Sequence, residues 1–90
     1  MTYIGFAIKS GAVIKGMDDI LRTKKRICLI VIAKSTQMNS RTKVVGFAEK
    51  KGISFVEIED EILESLNLQG VKIVGITDKN LAAAIISSIN

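Results

Sequence analysis

The run Arg26–Ala33, "RICLIVIA", constrains this chain more than any other stretch. It is β-branched and almost continuously apolar, without polar alternation. A strand with one wet face alternates; a strand that does not is covered on both faces. A central strand of this kind demands helices above and below its sheet, and the rest of the sequence supplies them. Thr2–Ser10 carries Tyr3, Ile4, Phe6, Ala7 and Ile8 in a helical pattern, with Gly11 as its left-handed stop. Met17, Ile20 and Leu21 recur at i, i+3 and i+4, and Asp18 and Asp19 fall in that helix's first turn, where acids complement the dipole. This second helix is expected to end near Lys24, with the cations of "TKKR" serving its last turn. A third helix follows the polar connection "KSTQMNS". It is capped by Asn39 or Ser40, turns Val44, Phe47 and Ala48 inward, and closes at Gly52. "EDEILESLNL" predicts a short helix with Ile62, Leu63 and Leu66 apolar, and Thr77 or Asp78 caps a last helix through "NLAAAIISSI".

Between these lie further strands at Ala12–Lys15, Ile53–Ile58 and Val71–Thr77. Helices and strands alternate through connections too long for hairpins. The expected fold class is therefore α/β: a three-layer α/β/α sandwich around a mixed sheet of about four strands. Residues 1–90 are expected to form a single domain.

The chemistry is bounded as firmly. The chain has no histidine. A histidine-based triad, a histidine-ligated metal and a Cys-His pair are therefore excluded. Cys28 lies inside the apolar run and reads as a small buried hydrophobe. A lone cysteine leaves no internal disulfide and fits a reducing cytoplasm. No apolar run approaches the roughly 18 residues of a membrane helix. The apolar start lacks a basic region and a small-residue cleavage site, so it is not read as a signal peptide. The expectation is a cytoplasmic, non-catalytic protein with no cofactor, no metal and no membrane partner.

Charge gives the first positive pointer. The formal net is +4, but the halves differ. Residues 1–51 carry eleven Lys/Arg against three acids, a net of +8, and residues 52–90 carry two against six, a net of −4. Such a bias favours a polyanionic partner over a merely solvated surface. The acids Glu57, Glu59, Asp60, Glu61 and Glu64 read as a solvated face. Tyr3, Phe6, Phe47 and Phe55 all fall on inward faces, which leaves no aromatic platform for stacking bases.

The stretch "IKSGAVIKGMDD", Ile8–Asp19, admits three readings. A phosphate loop is one, since helix N-termini bind anions. Gly11 and Gly16 have the spacing of G-x-x-x-x-G-K-[ST], but Met17 and Asp18 stand where Lys and Ser/Thr must be. A plain turn is the second: Gly11 caps one helix, Gly16 frees the start of the next, and the two acids serve the dipole.

The third is a resemblance. "GFAIKSGAVIKGMDDIL" followed by "LIVIAKST", the helix ending "KKGI", the strand "SFVEI" and the late "VGITDK" resemble, over about residues 3–86, the kink-turn RNA-binding ribosomal protein family. This is the L-seven-Ae/L-thirty-e superfamily, and the likeness is greatest to its small bacterial YlxQ-type members. The specificity lies in the order and spacing of these pieces, since no single motif is diagnostic.

The resemblance implies a structured RNA partner, a kink-turn or a similar bent element in a ribosomal or regulatory RNA, and thus a ribonucleoprotein role. Gly16 matches the family's glycine and Met17 its variable position. Asp18 stands at the Asn position, Asp19 at the Glu position and Arg22 at the Lys position. In kink-turn binders that helix start meets sheared G·A pairs: the acid accepts from guanine, the amide donates and accepts, and the cation holds phosphate. Lys9, Lys15, Arg22 and Lys34, with Ser35 beside it, would complete the face, and the Asn67–Leu68–Gln69 loop would lean on a flipped-out base. A-form RNA hides its major groove, so reading base edges needs a kinked RNA. Asp18 cannot donate as Asn does, and losing a good pairing costs roughly 1–3 kcal/mol of discrimination. Two rivals stand beside this reading. One is a protein–protein module that keeps the fold but has lost kink-turn recognition; the other is a small nucleotide binder using Gly11–Gly16.

Overall fold

The computed structural model describes residues 3–64 and 70–89. Among them the elements run α1 (Tyr3–Ser10), β1 (Val13–Lys15), α2 (Met17–Arg22), β2 (Leu29–Ala33), α3 (Met38–Lys51), β3 (Ser54–Ile58), α4 (Asp60–Glu64), β4 (Ile73–Ile76) and α5 (Lys79–Ile89). The strands form one sheet in the order β1-β4-β2-β3. β2 and β3 are parallel, while β4 runs antiparallel to both β1 and β2. The mixed α/β sandwich expected from the alternation is thus the fold.

Strand alternation divides the core into two layers. Leu29, Val31 and Ala33 of β2 join Val74 and Ile76 of β4 in a cluster with Ile4 and Ala7 of α1, Leu63 of α4, and Ala82 and Ile85 of α5. Ile30, Ile32 and Ile73 point the other way, to Ile20 of α2 and to Val44 and Ala48 of α3. Every residue of β2 and β4 is buried, as an apolar run without alternation requires.

Local chemistry sets the element ends, with three departures from expectation. α2 ends at Arg22, not near Lys24. Thr23 is extended, at φ −66 and ψ 145, and its Oγ1 accepts from the Lys25 N–H at 3.1 Å, so "TKKR" belongs to the connection beyond the helix. α3 starts before Asn39 and Ser40. Gln37 occupies its N-cap without a side-chain bond, because Thr36 folds back onto Ala33 and delivers the chain early: its hydroxyl donates to the Ala33 carbonyl at 2.6 Å. Gly52, at φ 70, closes α3 as expected. Phe6 and Phe55 are 49% and 40% exposed, not inward. Phe55 shares a sheet face with its partner Ile30, but β3 is an edge strand and only half covered. Asp78 caps α5, its Oδ1 accepting from the Leu81 N–H at 3.0 Å. Leu66 and any continuation of α4 beyond Glu64 lie outside the described residues.

Candidate functional site

The site is built where β1 hands the chain to α2. Gly16 takes φ +90, a conformation that side-chain-bearing residues rarely adopt, and nothing lies within 4 Å of where a Cβ would stand. Its N–H donates to the Ile73 carbonyl at 2.9 Å, and its own carbonyl accepts from the Ile20 N–H at 3.1 Å as the first bond of α2. The turn is therefore fixed on β4 at one side and on the helix at the other. α2 then presents Asp18, Asp19 and Arg22 to solvent while Ile20 is fully buried.

Arg22 reaches back along its own helix. Its Nη2 donates to Asp19 Oδ1 at 3.3 Å and its Nε to the Asp18 carbonyl at 3.3 Å. The Arg22 and Asp19 side chains are 77% and 65% exposed. Pairs this open are worth about 0–1 kcal/mol, so the guanidinium is easily released to a stronger anion. Lys15 is exposed immediately before the turn, and Met17 is half-buried against the core.

Lys34 and Ser35 reach the same end of the sheet through backbone pairing. The Ala33 N–H donates to the Lys72 carbonyl at 2.8 Å, and the Lys34 N–H to the Ile58 carbonyl at 3.0 Å. This brings together the end of β2, the start of β4 and the end of β3. Both residues are already engaged there. Lys34 Nζ donates to Glu59 Oε1 at 2.6 Å, and the Glu59 carboxylate raises the Lys34 pKa through that bond and its charge. The Ser35 hydroxyl and N–H both donate to Asp60, and Lys72 Nζ bonds Ser35 Oγ at 2.8 Å and Asp60 Oδ2 at 3.0 Å. Those donors hold the Asp60 carboxyl down at about 2, with the Ser35 hydroxyl the largest cause and Lys72 next.

Lys9 is not brought to this cluster. α1 ends against the start of β1, where the Ala12 N–H donates to the Ala7 carbonyl, so the length of β1 separates Lys9 from Gly16. Asn67, Leu68 and Gln69 lie outside the described residues. Lys72 and Asp60 join this cluster although nothing local to them in the sequence marks them. Their signal was topological, since antiparallel β4 begins where β2 ends and parallel β3 ends there too.

The opposite end of the sheet carries a groove of about 900 Å³, lined in part by Lys24–Cys28, Lys51 and Lys79. Cys28 is half-buried there and precedes β2, rather than sitting deep within a strand; its Sγ lies 3.6 Å from the Thr77 carbonyl. Among the described residues, no group of three or more His, Cys, Asp and Glu is arranged to hold a metal ion. Nor is any described helix long and apolar enough to cross a membrane.

Neither a family model nor a curated protein matches the chain. Among solved structures, that of a protein with unknown function from Bacillus halodurans C is similar, with a TM-score of 0.85 at 11% sequence identity, over 97% of this chain and 92% of that one. At that identity the likeness shows the fold alone: this chain shares its α/β architecture with that protein along nearly the whole of both.

Proposed function

We propose that the domain binds structured RNA of bent geometry, a kink-turn or a similar element, and performs no catalysis. The observation that carries this reading is the exposed leading edge of α2. Gly16 leaves open space for a close backbone approach, Asp18 stands exposed, Asp19 is held only by its solvent-exposed pair with Arg22, and Arg22 and Lys15 supply the cations. Asp19 would accept from a base edge, Arg22 would exchange its weak intrahelical partner for phosphate, and Gly16 would let the RNA backbone come near. Lys34, Ser35 and Met17 would border the contact.

A second reading, a protein-binding module of the same fold, is favoured by one observation. Lys34 and Lys72 are already neutralised by Glu59 and Asp60, which thins the cationic ring around Gly16.

Binding to a labelled kink-turn RNA and to a straight duplex, each across a salt series, separates the two. The RNA reading expects a preference for the kinked RNA. Arg22→Ala should weaken binding and make the salt slope shallower by about one. Asp18→Asn restores a donor and should tighten the kinked complex by roughly 1–3 kcal/mol. Equal binding to both RNAs, or none at low salt, overturns the proposal and leaves the protein-binding reading.

A further inference from the structure

We propose that the groove at the far end of the sheet is a second nucleic-acid contact, which takes a single-stranded RNA extension leaving the bent element along α2. The inference rests on the RNA reading above for the source of that strand, but the groove's own chemistry calls for a polyanion.

Its volume, about 900 Å³, lies within the range of ligand sites. The apolar part of its lining comes from Leu21, Ile27, Phe47 and Ile53. Five cations surround it, Lys24, Lys25, Arg26, Lys51 and Lys79, contributed by three separate parts of the chain. No acid is among the described residues that line it, and none of the five takes part in an ion pair among the described residues. Asp78, beside Lys79, commits its carboxylate to capping α5.

Helix dipoles do not explain the set. Lys51 suits the C-terminus of α3, but Lys24–Arg26 follow the extended Thr23, and Lys79 sits at the N-terminus of α5, where a cation is unfavourable. Five like charges around an apolar floor repel one another in the free protein and focus positive potential into the groove.

An apolar surface ringed by cations fits a single strand, with its bases on the floor and its phosphates at the rim. A duplex offers phosphates but no apolar face. Leu21 is 38% exposed in the free protein, the state in which a base would find it. The groove also adjoins the α2 edge. A smaller cleft of about 530 Å³, lined by Lys15, Asp19 and Arg22, shares Thr23 and Lys25 with it. One strand can therefore run from the leading edge of α2 into the groove.

The test uses the full chain and anisotropy titrations with a kink-turn RNA, the same RNA carrying a tail of about six nucleotides, the tail alone, and a tail of abasic sugar-phosphate. The tail should tighten binding at least about tenfold. Combined Lys24→Gln, Lys51→Gln and Lys79→Gln should remove that gain and flatten the salt slope for the tailed RNA by about two, at about 0.7 per phosphate contact. Affinity for the untailed RNA should stay unchanged and the melting temperature should not fall, since all three side chains are exposed and their replacement relieves the repulsion within the groove. Leu21→Ser should weaken the base-bearing tail and spare the abasic one. If tailed and untailed RNAs bind wild type equally, the groove proposal is overturned and the RNA reading stands. If the tail binds and the kink-turn does not, the reading of the α2 edge falls and the groove survives. A preference of the groove for anionic vesicles or an acidic peptide over the tail, abolished by the same three substitutions, also overturns the proposal.

Discussion

Asp60 is where single residues matter most. It opens α4, yet its carboxylate is tied to Ser35 and Lys72, contributed by two other segments. Its folded-state pKa, about 2, lies below the ordinary 3.8. The stabilisation it gives is thus complete above about pH 4 and is lost as pH falls through about 2. Lys34 runs the other way: its pKa is raised by Glu59, so its contribution holds below the ordinary 10.5 and is lost at higher pH. A carboxyl-carbon NMR titration should show an Asp60 midpoint near 2 that returns toward 3.8 in Ser35→Ala. An unmoved midpoint would contradict the leading role of the Ser35 hydroxyl. These contacts explain why the site was only half legible. Gly16, Asp18, Asp19 and Arg22 lie within one short run of sequence, so a resemblance read along the chain could group them. Ser35, Asp60 and Lys72 are scattered along the chain, and only the strand order unites them.

Among the elements, α2 carries the candidate site and has little means to persist alone. Six residues cannot sustain a helix in water. It is held by Ile20, fully buried over Gly75 of β4. A Cβ at Gly75 would stand 3.4 Å from both Ile20 and Ile27, so a methyl fits there and a branched side chain does not. Gly75→Val should push Ile20 outward and destabilise the protein by about 1–3 kcal/mol. For a domain of this size each kcal/mol lowers the melting temperature by about 4–8 °C, readable by circular dichroism. Gly75→Ala should perturb far less, since 3.4 Å is ordinary contact. Element types were legible from periodicity, while boundaries yielded to tertiary detail. Asn39 and Ser40 are good capping residues, but the Thr36 turn starts α3 before either is reached.

On the scale of the whole molecule, the two-sided burial of β2 was written in "RICLIVIA", and the layers follow from it. Lateral position in the sheet was not. Period 2 tells which face a side chain takes and nothing about how many neighbours its strand has, which is why Phe55 reads as inward and stands at an edge. Strand order has a further effect, on how the chain reaches this state. β1 and β2 do not touch through backbone bonds; β4 is wedged between them. The shortest-range ladder, Leu29 with Ser54, already spans 25 residues, and Val13 must wait for Ile76. A fragment ending at Gly70 should therefore show no cooperative thermal transition, whereas the full chain should melt in one step; two-state melting of that fragment would refute this. Assembly is keystone-like. No hairpin joins neighbouring strands of the sheet, the first strand has no partner until the last is made, and folding is expected to run at the slow pace of distant pairings.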